Sequence, residues 1–239
     1  MKPERPQEDP RAEAAFAALA EALRLTHREA PPEALMEEAR RRFVAPSALF
    51  GAPAHLLEAI GFNKREALLY SQVPALVRHL ACAGYGSRPR LDRLQAAADY
   101  LVGRFQGLAV EHFYLLSLDA AGRLGECRLL DTGTDDSASF RLRDVLTEVV
   151  RTRAKAVVIS HNHPSFSARP SQEDVACTLA LLGALRPLGV VLLDHVVICG
   201  RESVSLRAHG YIREQLWRAQ APENRLLKNW LTQDGSSGS

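Results

Sequence analysis

Cysteine is scarce in this sequence. Four occur in 239 residues, at Cys82, Cys127, Cys177 and Cys199. None forms a C-x-x-C pair, and the nearest two, Cys177 and Cys199, stand more than twenty positions apart. That spacing argues against a disulfide framework and against a thiolate-closed structural zinc site. The thiols are expected to be reduced and mostly buried, as in a cytoplasmic protein. Long apolar runs are also missing, so no segment is expected to span a membrane. The opening Met1-Lys-Pro-Glu-Arg-Pro6 is polar and Pro-rich with no apolar run behind it, unlike a signal peptide. Excess charge of one sign is absent too, since 30 Lys and Arg face 28 Asp and Glu for a net charge of +2. Bulk attraction to nucleic acid is therefore weak, and only local basic patches remain open. No internal repeat occurs.

What is present is ordinary for a globular chain: 46% hydrophobic and 24% charged residues. The length suits one large domain or two small ones with a real core. Residues 10–106 carry helical periodicity throughout. Helices are expected over 14–25, 33–43, 54–60, 63–80 and 91–105, with Pro31 and Pro32 as a break and the Gly- and Pro-bearing 84–89 as the linker. From Glu111 onward strand and helix patterns alternate. Strands are expected over 112–118, 125–131, 156–160, 190–199 and 202–206. Helices are expected from a Ser139 cap to 153, over 171–186, and in two terminal segments, 206–217 and 224–231.

The densest chemistry lies in His161-Asn-His163-Pro-Ser-Phe-Ser-Ala-Arg-Pro-Ser171-Gln-Glu-Asp174. The two histidines stand two apart at the end of an expected strand. A strand's period of two puts both rings on one face, with Cβ atoms roughly 7 Å apart. Pro164 and Pro170 fix φ in the loop that returns the chain to Ser171. Asp174 falls in the first turn of the next expected helix, where a carboxylate suits the helix dipole. Two neutral imidazoles and a carboxylate make a set that zinc accepts with one position left for water, the arrangement of a hydrolytic site. A plainer reading stands beside it. Ser171-x-x-Asp174 also reads as a capping box, with Asp where Glu or Gln is commoner, and His-x-His pairs serve structural and surface roles. Capping and ligation are compatible, because a carboxylate has two oxygens.

His161-x-His163, seven residues, then Ser171-x-x-Asp174 resembles the JAMM (MPN-plus) metalloprotease signature. The longer string His-Asn-His-Pro-Ser to Pro-Ser-x-x-Asp, with Leu193-Asp194-His195 downstream, is similar to the bacterial RadC family over about residues 111–210. The resemblance implies an α/β fold, a cytidine-deaminase-like mixed sheet flanked by helices, preceded by a small all-α, helix-hairpin-helix-like domain. It implies one Zn2+ ion on His161, His163 and Asp174, and a protein or peptide substrate. It also implies a glutamate base upstream. Glu111 matches that base by order and position, taking a proton from the activated water and returning it to the leaving amine. Ser171 matches the donor to the oxyanion. Without the resemblance Glu111 reads as a solvated strand-edge acid. Glu148 and Glu173 are rival bases, Glu173 pointing about 100° away from Asp174 around the helix. His112 and His195 read as hydrogen-bonded strand residues rather than ligands. Asp194 reads as the group that fixes a ligand ring's tautomer.

The implied division is 1–10 as a disordered start, 11–84 as the helical domain, 85–210 as the RadC/JAMM domain, 211–232 as a helical extension and 233–239 as a flexible tail. In the helical part, Leu57-Glu-Ala-Ile-Gly61-Phe-Asn63-Lys64-Arg65 resembles the family's hairpin, with Asn63 where a second glycine is usual. Asn tolerates αL, so the turn is expected to survive, and Lys64 and Arg65 can contact DNA phosphates. The same segment also reads as a packing module with two solvated charges. Arg40-Arg-Arg42 follows Glu37 and Glu38 and reads as a solvated helix face.

Two departures from the family bear on substrate: Phe166 where glycine is usual, and an acidic stretch at 132–140 with Asp135 and Asp136. Three functions are carried forward. The first is a zinc-dependent hydrolase. The second is a DNA-associated, repair-linked protein with a structural or inactive metal site. The third is a scaffold, homo-oligomeric or partner-bound, using the apolar stripe Leu226, Leu227, Trp230 and Leu231, although the plainer reading of that stripe is packing on the body.

Overall fold

The computed structural model describes residues 10–27, 32–43, 46–108, 110–133, 142–164, 167–221 and 223–232. Ser139, Asp135, Asp136, Phe166, the first nine residues and the tail from 233 lie outside them. The chain divides into two compact units, one drawn from Met1–Val77 and Gly107–Ala109, the other from Arg78–Gln106 and Val110–Ser239.

The first unit is helical. It holds α1 (Pro10–Thr26), α2 (Pro32–Arg42), α3 (Pro46–Phe50), α4 (Ala54–Ala59) and the start of α5 (Lys64–Ala83). Phe16, Leu19 and Leu23 recur at helical spacing on α1. They bury against Leu35, Met36 and Ala39 of α2 and against Leu49, Leu57, Phe62 and Tyr70. Asn63 caps α5, its Oδ1 accepting from the amides of Arg65 at 3.1 Å and Glu66 at 3.0 Å. The Glu66 carboxylate accepts from the Asn63 amide at 3.0 Å, completing a capping box.

The second unit holds α6 (Leu94–Phe105), β1 (Glu111–Leu118), β2 (Leu124–Gly133), α7 (Leu142–Thr152), β3 (Ala156–Asn162), α8 (Gln172–Leu185), β4 (Val191–Cys199), β5 (Glu202–Ser205), α9 (Glu214–Arg218) and α10 (Arg225–Thr232). The strands form one mixed sheet in the order β2-β1-β3-β4-β5. Only β3 and β4 pair in parallel, as a crossover through α8 requires. Val145 and Val149 of α7 and Leu181, Leu182 and Leu185 of α8 bury against Phe113, Leu115, Val157, Ile159 and Val197. By strand alternation Tyr114 points to the other face, where Phe105 of α6 meets its ring at 5.3 Å.

Two expectations differ from the structure. The division falls within α5, after Val77, and not at 84–89. That segment belongs to the second unit, where the Pro89 carbonyl accepts from the Leu124 amide at 2.8 Å. The helix expected over 206–217 is reduced to α9. The Leu206 amide donates to the His195 carbonyl, and tight turns follow through Gly210 at φ +70°. The apolar stripe of α10 packs on the body, its plainer reading: Leu226, Leu227 and Trp230 are buried and α10 packs on β4. No helix among the described residues is long and apolar enough to cross a membrane.

Candidate metal centre

β3 delivers the first two candidate ligands. His161 is its penultimate residue. His163 lies just beyond it, yet its amide still donates to the Ile198 carbonyl at 2.8 Å, so strand geometry continues to that point. Both rings therefore leave the same side, and their Nε2 atoms stand 2.9 Å apart. The His163 Nδ1 lies 2.9 Å from the Ser167 carbonyl oxygen. A carbonyl only accepts, so that proton sits on Nδ1 and the Nε2 lone pair of His163 faces His161.

α8 delivers the carboxylate. Ser171 is the N-cap and Asp174 the third residue of the helix. The Asp174 amide donates to Ser171 Oγ at 3.1 Å. Asp174 Oδ2 accepts from the Ser171 amide at 2.7 Å and from its hydroxyl at 2.8 Å. The capping box uses only that oxygen, and Oδ1 lies 3.4 Å from His161 Nε2. Burial pushes this carboxyl up. When His161 is protonated, its hydrogen bond and charge, with the Ser171 amide, outweigh it and hold Asp174 well below the usual carboxylate range.

Glu111 opens β1. The antiparallel register pairs Phe113 with His161, so Glu111, two residues earlier, shares the face of His161. Its Oε1 stands 3.9 Å from His161 Nε2. Burial raises its carboxyl above the ordinary value, with His161 and His163 pulling the other way. The rivals stand elsewhere, Glu148 bonded to Arg151 on α7 and Glu173 exposed. His112 turns its Nδ1 to the Val110 carbonyl at 3.0 Å.

One participant, Asn162, escaped sequence reasoning, and a second, His195, is the hydrogen-bonded strand residue expected of it. Asn162, between the two histidines, points to the opposite face. Its Oδ1 accepts from the His112 amide at 2.8 Å and its Nδ2 donates to the Val110 carbonyl at 3.1 Å, which fixes the chain on either side of Glu111. His195 is fully buried, with Nε2 2.9 Å from His161 Nδ1. Burial and the neighbouring His161 hold its imidazole well below the ordinary range, so it stays neutral.

His195 takes the place expected of Asp194. The cause is a register shift in the β3–β4 ladder. Val157 pairs with Leu192, but Val158 pairs with Asp194 and Ile159 with His195. An unshifted ladder would pair Asp194 with Ile159, on the face of His161. With Leu193 skipped, Asp194 faces away. There it accepts from Ser205 Oγ and from the amides of His195 at 2.8 Å and Arg207 at 3.3 Å.

Lys64 and Arg65 are exposed on the first turn of α5 in the other unit. The expected αL turn at Asn63 is absent. Among the described residues Arg153 is the only non-glycine with positive φ, and Asn63 acts as a cap instead. The Arg65 and Glu66 amides at this helix start are therefore already bonded to Asn63 and not open to a phosphate.

Among the described residues, two sets bring metal-ligating atoms within 4.8 Å of one another: Glu111 with His161 and His163, and His161 with Asp174 and His195. His161 joins them. Two imidazoles and a carboxylate, with no thiolate, suit a borderline divalent ion. The 2.9 and 3.4 Å separations from His161 Nε2 bracket the spacing of about 3.3 Å between ligand atoms on a tetrahedral ion with bonds of roughly 2.0–2.1 Å. The donor types fit such an ion, although among the described residues no one cluster holds His163 and Asp174 together.

A mixed sheet whose third strand ends on paired imidazoles, beside the capped start of its crossover helix, defines an α/β domain with a candidate divalent-metal centre. The model of the RadC-like JAB domain matches residues 91–211, and the chain belongs to that family. It is 38% identical over 146 residues to a UPF0758 protein of Shewanella baltica (strain OS185), a match covering 60% of this chain and 65% of that relative's length. It is 32% identical over 165 residues to a UPF0758 protein of Rubrobacter xylanophilus, covering 69% of this chain and 72% of the relative.

Proposed function

We propose that the chain is a zinc-dependent hydrolase of the JAMM type that cleaves a peptide or isopeptide bond. One observation carries the reading. His163 Nε2, Asp174 Oδ1 and Glu111 Oε1 stand 2.9, 3.4 and 3.9 Å from His161 Nε2, which places two further candidate ligands and a base around one imidazole nitrogen. Membership of a JAB-domain family supports it.

His161, His163 and Asp174 would hold the ion. When bound, zinc supplies Lewis acidity that lowers the pKa of water and polarises a carbonyl. Glu111 takes a proton from the attacking water at Oε1 and passes it to the leaving amine nitrogen as the carbon–nitrogen bond breaks. A carboxyl raised by burial suits a group that must both take and return a proton. The Ser171 hydroxyl exchanges its bond to Asp174 Oδ2 for one to the developing oxyanion.

The test is zinc content of the purified chain together with cleavage of linear and isopeptide-linked peptide libraries. His161→Ala and Asp174→Ala lose zinc, whereas Glu111→Gln keeps zinc and loses cleavage. Equal zinc in all three and in wild type would overturn the assignment. The DNA-associated alternative rests on the charges of Lys64 and Arg65 alone. Salt-sensitive DNA binding abolished by Lys64→Ala with Arg65→Ala would favour it.

A further inference from the structure

We propose that His195 and Thr178 are positioning residues that fix the tautomer of His161, placing its proton on Nδ1 and leaving the Nε2 lone pair open toward His163 and Asp174. The proposal rests on the reading of His161 as a metal ligand.

The proton positions follow from a chain of buried hydrogen bonds. Thr178 lies one turn after Asp174 on α8, and its hydroxyl donates to the Asp174 carbonyl at 2.6 Å. A hydroxyl has a single proton. With it committed, Thr178 Oγ1 can only accept from His195 Nδ1, 2.7 Å away. His195 therefore carries its proton on Nδ1 and, as a neutral ring, presents a lone pair at Nε2. That lone pair lies 2.9 Å from His161 Nδ1, which must donate to it. The His161 proton is thus placed, and its Nε2 is free to bind a metal. Thr178 and His195 are fully buried and His161 nearly so, so water is not at hand to satisfy another arrangement.

The reverse polarity has a definite cost. If Thr178 donated to His195, the proton of His195 would sit on Nε2 and that of His161 on Nε2. The His161 proton would then bond to the His163 Nε2 lone pair, 2.9 Å away, and occupy the place of the ion, so the cost of this polarity falls at Thr178. Thr178 Oγ1 would face the Asp174 carbonyl oxygen at 2.6 Å with no proton between them. One helix carbonyl thereby biases the ligand face of His161 through two intervening side chains. Ligand imidazoles in metal sites commonly donate their second nitrogen to a carboxylate, carbonyl or water. Here the acceptor is a second imidazole, whose own proton must itself be held in place.

The experiment uses the full chain labelled with 15N-histidine. Long-range 1H–15N spectra report the His161 tautomer with and without zinc, and chelator competition reports zinc affinity. Thr178→Val keeps the shape but removes the acceptor for His195. It is expected to weaken zinc binding by about 10–100-fold and to shift metal-free His161 toward the Nε2-protonated form. Thr178→Ser restores both. Wild-type affinity in Thr178→Val, or no recovery in Thr178→Ser, overturns the proposal. If wild type binds no zinc, the metal reading fails instead. The metal-free spectra then decide alone, and a His161 tautomer unmoved by Thr178→Val overturns the proposal.

Discussion

Asn162 holds Glu111 in place without touching it. Its side-chain amide bonds the His112 amide at 2.8 Å and the Val110 carbonyl at 3.1 Å, gripping the backbone on either side of the acid. Asn162 is buried, so Asn162→Ala leaves the His112 amide short of its partner, at about 1–3 kcal/mol, while the Val110 carbonyl keeps its contact with His112 Nδ1. Urea unfolding should show that loss. Zinc affinity should change little, while cleavage falls as Glu111 drifts. A variant as stable and active as wild type would show the clamp to be idle.

Asp174 serves two elements with two oxygens, and its titration separates them. Its folded-state pKa is depressed, so its contribution to stability is complete above the unfolded carboxylate value of about 3.9 and is lost as pH falls further. In metal-free protein, the stability gap between wild type and Asp174→Asn should be present at about pH 5 and narrow below about pH 4. Zinc release at milder acidity should then report protonation of imidazoles, since the neutral ring is the ligand form. A gap that closes already between pH 7 and 5 would contradict the assignment.

Arg153 ends α7 at φ +52°, where glycine is the usual residue. The Ala154 amide donates to the Val149 carbonyl and the Arg153 amide to that of Val150, both at 3.2 Å, which is a Schellman pair. Arg153→Gly relieves the left-handed strain and should raise stability by about 1 kcal/mol, read as a higher urea midpoint with unchanged slope. A lower midpoint would mean that the arginine side chain contributes more than its backbone costs.

Trp230 is fully buried under α10, with the Arg207 guanidinium 5.8 Å from its ring. Trp230→Ala should cost about 3–5 kcal/mol in unfolding free energy. Sedimentation should show the same mass as wild type. A changed mass at unchanged stability would restore the scaffold reading of this stripe.

The legibility of the site varied with distance along the chain. His161 and His163 were readable because a strand's period is local. Asp174 was readable because a capping position is local too. Glu111 lies fifty positions before His161, and only the resemblance pointed to it; physically it needs the antiparallel pairing of Phe113 with His161. Asn63 was located, but its role was misjudged. A polar side chain at a helix start can cap as readily as it can turn the chain, and Glu66 three residues on decided for the cap. The helix expected over 206–217 failed because amphipathic spacing does not register that the backbone of Leu206 is already bonded to β4.

By itself the sequence determined the alternation of elements, the α/β class of the second unit and the three residues proposed to hold a metal. All of these follow from periods of two and 3.6 and from capping chemistry, which act within a few residues. Only the tertiary structure decided which neighbour stands behind His161. A single skipped residue, Leu193, turns His195 toward the site and Asp194 away from it. Strand faces alternate, so one step of register exchanges an imidazole for a carboxylate, and nothing local in Leu193-Asp194-His195 records that step.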